Sequence, residues 1–318
     1  MVKKFFLHNL NGFLFWTLFG TILGFFSKYC FLTDICCHFK FQYIYATVII
    51  LIFYLAMKIK DKKLYAAILL VLILNTAEII RCIVISPPEK PFSVQQNEEQ
   101  KPIIKIGLIN LLTSNTHYQS VRDEILNSNA DIFVIEEINT DWSGELEEIK
   151  KVYPYNYEYL REDNFGLAIY SKIPVKQFNV LYAGNFALPV LTAMIEYNGK
   201  ITEIIAVHTT PPTSNAYFKN TQSMLEDIAK YVQTRQLPTV IVGDINSSRF
   251  SYNYANFIKK TKMKDCGSIF QTTWTAFWLP PMRITLDHIF VTKDFGVADF
   301  KVGNKVGSDH FPVFAEVY

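Results

Sequence analysis

Charge is scarce in this chain: 19% of its 318 residues are Asp, Glu, Lys or Arg, and half are apolar. That balance excludes a disordered polypeptide and sits poorly with an ordinary soluble domain. Cysteine is scarce where it would matter. Cys30, Cys36, Cys37 and Cys82 all precede residue 100, and only Cys266 lies beyond it. Neither a disulfide framework nor a thiolate zinc site can be built in the C-terminal part. A basic surplus is missing there too. Residues 1–100 hold 10 Lys and Arg against 6 Asp and Glu, whereas residues 101–318 hold 21 against 23. A part with net −2 offers no strong bulk surface to long nucleic acid.

Apolar residues are abundant in three runs. Leu10–Phe26 is broken only by Asn11, Thr17 and Thr21, and Phe41–Met57 only by Gln42 and Thr47; Leu64–Ile85 carries Asn75, Thr76, Glu78 and Arg81. A helix crosses a bilayer with roughly 17–25 such residues, so all three qualify as transmembrane helices. No small-residue cleavage site follows Phe26, and the first run is read as uncleaved. Lys3 and Lys4 before the first run, and Lys58, Lys60, Lys62 and Lys63 between the second and third, place both loops in the cytoplasm. Three crossings then put everything after Ile85 on the opposite side. Glu78 and Arg81 share a helix face, and a local pair with Arg81 reaching the interface is the simplest reading. Residues 86–102 contain Pro87, Pro88, Pro91 and Pro102 among polar residues and read as a linker. The domain boundaries are therefore 1–85 (membrane), 86–102 (linker) and 103–318 (catalytic).

From Ile103 onward, short apolar runs alternate with helical patterns. Strands are expected at Ile103–Leu111, Ile132–Ile135, Gly166–Tyr170, Leu191–Tyr197, Thr202–Val207, Thr239–Val242, Leu286–Val291 and Val313–Val317. Helices are expected at Gln119–Asn127 and Tyr217–Thr234. Asn198-Gly199 between two of the strands is a strong hairpin signal. Hairpins mixed with helices predict an α/β (α+β) sandwich of two sheets flanked by helices.

Chemistry-bearing residues gather at the ends of these strands: Asn110, Glu136-Glu137, His208, Gly243-Asp244-Ile245-Asn246, Asp287-His288 and Ser308-Asp309-His310. Each has a bland alternative. Gly-Asp-x-Asn is commonly a turn, and a lone histidine after a strand is commonly structural. Together they offer the oxygen ligands that a hard divalent cation prefers, with histidines able to move protons near neutral pH. That set fits metal-assisted phosphoester hydrolysis better than zinc chemistry.

These motifs resemble those of the endonuclease/exonuclease/phosphatase superfamily, with its DNase I-like fold. Ile109-Asn110 stands at the early strand's end. Asp131-Ile-Phe-Val-Ile-Glu136-Glu137 matches the motif bearing the metal-binding glutamate, with Glu136 in the usual Gln place. Val207-His208-Thr-Thr-Pro211, Gly243-Asp244-Ile-Asn246, Asp287-His288 and Ser308-Asp309-His310-Phe-Pro312 follow in the family's order. Thr273-Trp274, the Leu279-Pro280-Pro281 turn and Gly-Ser-Asp-His also look like the membrane-anchored bacterial branch, which implies an inner-membrane location with the catalytic domain extracytoplasmic.

The resemblance implies that Glu137, Asn110 and Asp309 hold Mg²⁺ or Mn²⁺. It further implies that Asp287 orients His310, that Asp244 positions or deprotonates water, and that Asn246 and His208 contact phosphate. Glu162 and Asp163 are candidate acids for His208. Trp274, Trp278 and Arg283 could supply a substrate surface, or the aromatics could simply pack under a loop. Two departures stand out. Leu112 occupies a place where some relatives carry an acid, and the Tyr and Asn pattern of abasic-site nucleases is absent near His208. The expected activity is a membrane-anchored, metal-dependent hydrolase of phosphoesters, a phosphodiesterase on lipid head groups or small phosphoesters, with the bilayer as partner through residues 10–85. An extracytoplasmic nuclease and a non-catalytic module retaining the fold are the alternatives. The latter would be expected to have lost Asp244, Asn246 or His310, and all three are present.

Overall fold

The computed structural model describes residues 2–85 and 103–318. The expected linker, 86–102, lies outside the described residues. The N-terminal part consists of helices α1 (Val2–Leu23), α2 (Phe31–Cys37), α3 (Lys40–Ala56) and α4 (Lys62–Ile85). Among the described residues, two helical stretches, Lys3–Phe26 and Lys62–Val84, are long and apolar enough to cross a membrane. A third span exists only if α2 and α3, bent by 65° at the break between them, are taken as one. The expectation of three plain spans is thereby qualified: α3 has 17 residues. Two polar contacts tie the bundle together internally, as apolar surroundings favour. Asn75 Nδ2 donates to Thr21 Oγ1 and to the Val71 carbonyl, and Tyr54 donates to Asn11 Oδ1. Glu78 and Arg81 form the expected local pair, 2.8 Å apart.

The second part runs β1 (Ile104–Asn110), α5 (Tyr118–Ser128), β2 (Ile132–Glu136), α6 (Thr140–Glu145), β3 (Tyr155–Tyr159), β4 (Leu167–Ser171), β5 (Val175–Ala183), β6 (Leu188–Tyr197) and β7 (Lys200–Val207). It continues with α7 (Asn215–Arg235), β8 (Thr239–Asp244), α8 (Tyr252–Thr261), β9 (Lys264–Asp265), β10 (Asp287–Val291), β11 (Val297–Val302) and β12 (Val313–Val317). Two six-stranded mixed sheets form, in the orders β11-β12-β1-β2-β4-β3 and β5-β6-β7-β8-β10-β9. Their facing sides interdigitate through Ile106, Leu108, Val134, Leu191, Ala206, Val242 and Ile289. The outer faces are covered by α5 and α6 on one sheet and by α7 and α8 on the other. This is the predicted sandwich with flanking helices.

Local signals explain the elements. Asn198 and Gly199 both adopt positive φ and turn β6 into β7. Ser214 and Ser251 cap α7 and α8, and left-handed Gln236 and Lys262 end them. The parallel pairs β1–β2 and β7–β8 occupy the sheet interiors, so their C-terminal ends open onto one rim. β10 runs antiparallel to β8 with Asp287 opposite Asp244. Register alone therefore brings three separated motifs to one edge.

The two parts are docked together. Cys37 and Cys82 pack with Phe250 and Ile269 in one buried cluster, and Phe41 meets Phe250 and Phe270 edge-on or tilted. Tyr252 N donates to Ser27 Oγ, and Gln222 Nε2 to the Lys28 carbonyl.

Candidate active site

Gly243 sets the site's narrowest approach. A Cβ there would lie 2.8 Å from the Val207 carbonyl carbon and 2.9 Å from Glu136 Oε1. Without one, β7 and β8 close up, and His208 leaves its strand beside Asp244. Asp244 Oδ2 then stands between two imidazoles, 3.8 Å from His208 Nε2 and 3.7 Å from His310 Nε2. Its Oδ1 accepts from the Asn246 backbone N–H at 2.7 Å. Asn246 and Glu137, both at positive φ, are non-glycine residues held in left-handed conformations, a strain that surrounding structure must maintain. Asn246 commits one amide hydrogen to the Thr209 carbonyl at 2.9 Å and keeps the other.

These side chains share a cavity of about 460 Å³ with Glu137, Asp309 and Trp274, a volume in the range of small-ligand pockets. Glu137 is fixed by Asn110 Nδ2 (3.2 Å) on one oxygen and by the Thr113 N–H (3.0 Å) on the other. Asp309 Oδ2 accepts from Trp274 Nε1 at 3.0 Å. Behind the cavity, Asp287 holds His310 Nδ1 at 2.9 Å. Burial works against the His310 imidazolium, but Asp287, Asp244 and Asp309 outweigh it and push the ring up to about 10. Burial also opposes ionisation of Asp287, and His310 overcomes it, leaving that carboxyl below its usual value. His208 goes the other way. Burial lowers it despite Glu137, Asp287 and a backbone hydrogen bond with Asn164. Asp244 and Glu136 are both raised well above the usual carboxyl range, chiefly by burial and also by neighbouring carboxylates.

The rim thus concentrates Glu136, Glu137, Asp244, Asp287 and Asp309 around two histidines. Oxygen donors without a thiolate, with negative charge in surplus, fit a hard divalent cation. Of the carboxylates that line the cavity, Glu137 and Asp309 are the ones that would hold it.

Not every expected residue arrives. Asn110 does not line the cavity; it lies behind Glu137, and its Oδ1 accepts from the Leu112 N–H. Trp278 and Arg283 stay outside. Arg283 caps the Phe311 ring and donates to the Trp278 carbonyl, and Trp278 faces Trp274 with its ring half exposed. Neither candidate acid reaches His208: Glu162 accepts from Thr140, and Asp163 is clamped by Arg161. Phe165 lies against the imidazole instead. Ile35, His38 and Phe39 were not foreseen in the cavity wall, yet they line it from the N-terminal part. No spacing rule could have found them, because residues more than 200 positions apart meet there.

The profile of the Endonuclease/Exonuclease/phosphatase family matches residues 108–310. The chain belongs to that family. Its members are generally phosphoester hydrolases that typically use divalent metal ions. Solved structures agree on the fold. An endonuclease/exonuclease/phosphatase from Bacteroides vulgatus is 17% identical with a TM-score of 0.59, covering 69% of this chain and 99% of that one. The human Nocturnin catalytic domain with bound sulfate is 15% identical at 0.56, covering 70% and 96%. Sphingomyelinase C from Streptomyces griseocarneus is 14% identical at 0.52, covering 68% and 99%. No curated protein matches the sequence.

Proposed function

We propose that the protein is a membrane-anchored, divalent-metal-dependent phosphoester hydrolase, with lipid head groups or small phosphoesters as its substrate class and its catalytic domain extracytoplasmic. The observation that carries this reading is Asp244 Oδ2 set between the Nε2 atoms of His208 and His310, with Glu137 and Asp309 on the same cavity. Held as an imidazolium by Asp287, His310 donates to a phosphoryl oxygen and stabilises the charge that develops on it. Asp244 orients the attacking water and takes its proton. His208 and the free Asn246 amide hydrogen bind the remaining phosphoryl oxygens. The ion, when bound at Glu137 and Asp309, supplies Lewis-acid polarisation of the phosphoryl group.

Small or lipid substrates are favoured over nucleic acid by the lining. Among the described residues, no Lys or Arg lines the cavity, whereas phosphate-backbone binding draws its affinity from such side chains. The test uses the purified full-length protein with bis(p-nitrophenyl) phosphate. Hydrolysis that requires Mg²⁺ or Mn²⁺ and stops with EDTA is expected. Metal-independent hydrolysis, or none with either metal, refutes the reading.

A further inference from the structure

We propose that the membrane part is more than an anchor: α2 and the residue pair that follows it form one wall of the substrate site, and that wall receives the apolar chain of a phosphoester drawn from the bilayer. The inference rests on the hydrolase reading and names which substrates it favours. The cavity lining is of two kinds. Glu137, His208, Asp244, Asn246, Asp309 and His310 supply polar groups, and Ile35, Phe39, Phe165, Ile284 and Leu286 supply apolar surface. A head group alone would use the first set and leave the second without a partner.

α2 is held in place at both ends. Phe31 N–H donates to Asn215 Oδ1 at 3.3 Å, and buried His38 binds Ser248 Oγ through Nδ1 at 2.7 Å. Ser248 lies two residues beyond Asn246, so the wall is fastened to the catalytic loop itself. After Phe39 the chain bends into α3, and the wall is continuous with apolar helical surface. A second apolar surface flanks that junction. Phe277 (56% exposed), Trp278 and Leu279 (75% exposed) stand outward from a loop whose Pro281 and Arg283 carbonyls accept from Gln42 of α3. An apolar loop beside membrane-crossing helices is the arrangement that inserts into the lipid interface. It brings the cavity mouth to the level from which an acyl or alkyl chain would enter.

Two water-soluble probes, ethyl and octyl p-nitrophenyl phosphate, test the idea on full-length protein in nanodiscs with Mg²⁺, read as p-nitrophenolate release. The octyl ester is expected to exceed the ethyl ester in kcat/KM by at least about tenfold, the discrimination an apolar pocket gives for added methylenes. The Ile35→Ser/Phe39→Ser variant is expected to lower that ratio by a similar factor. A wild-type ratio near one, with both esters cut, overturns the inference and leaves the hydrolase reading intact. A ratio unchanged in the double variant also overturns it. If the variant fails to fold, the wild-type ratio decides alone. If neither ester is cut, the hydrolase reading falls and takes this one with it.

Discussion

Gly243→Ala should damage the protein more than any other single methyl group added to this sheet, and the reason is local geometry. The new Cβ would fall inside the contact distance of the Val207 carbonyl, 2.8 Å from its carbon, on a neighbouring strand of the same sheet. The carbonyl oxygen of Val207 would lie nearer still than its carbon, so restoring an ordinary contact of ~3.5 Å means parting β7 and β8 by more than ~1 Å. Backbone cannot rotate away as a side chain can. The same Cβ would lie 2.9 Å from Glu136 Oε1, which accepts the Asp244 N–H in a fully buried setting. Overpacking costs roughly 1–3 kcal/mol, and a weakened buried hydrogen bond adds about 1–3 kcal/mol. A total near 3 kcal/mol lowers Tm by about 6–12 °C for a domain of this size. Thermal unfolding of the full-length protein in detergent, followed by tryptophan fluorescence, measures it. Gly144→Ala is the control: its Cβ meets nothing within 4 Å, and helix α6 should gain up to about 1 kcal/mol. A Gly243→Ala protein melting within a degree or two of the wild type would refute the account of how β7 and β8 close.

Three further outcomes are expected. His310→Ala should reduce phosphodiester hydrolysis by about 10²–10⁴-fold with the unfolding transition retained; wild-type turnover by the purified variant removes His310 from the mechanism. Asn110→Ala frees one Glu137 oxygen and should raise the Mg²⁺ concentration for half-maximal activity by about 10–100-fold, and an unchanged metal titration contradicts its steering role. Asp265 is held well below the usual carboxyl range: burial opposes its ionisation, but Arg249, His288 and Tyr254 overcome it. Because its folded value is depressed, its contribution is complete above the unfolded value of about 4 and is lost as pH falls from there toward the folded one. Asp265→Asn should therefore lose about 3–5 kcal/mol at pH 7 and show a flatter acid limb than the wild type between roughly pH 5 and pH 2. Parallel stability–pH curves would disprove it.

What the sequence shows of the fold and the site follows a physical line. The strands visible in the sequence, such as Ile132–Ile135 and Thr239–Val242, are interior strands whose residues are all buried, so their apolar runs are unbroken. The four strands that left no clear run, β3, β5, β9 and β11, are the four sheet edges. Their half-exposed positions admit Asn156, Glu158, Lys176, Gln177, Asp299 and Lys301, which dilute the pattern. In the site, residues tied to strand ends converge as expected. Asn110, expected among the metal-holding residues, stands one layer back against Glu137, because sequence order shows that a ligand type stands near a rim but not whether it faces the cavity or its neighbour. Trp278 and Arg283 belong to a loop without ladder constraints, and Ile35, His38 and Phe39 reach the cavity only through tertiary docking.

The facing of Asp244 and Asp287 across β8 and β10 means that the reacting groups are spaced by a hydrogen-bond lattice rather than by hinges. Such spacing is quantised. A one-residue slip would turn Asp287 to the opposite face and present His288 in its stead, so intermediate geometries are closed to gradual adjustment. Divergence toward new substrates is then confined to the unlaced segments around the mouth, which can be rewritten without retuning the chemistry beneath them.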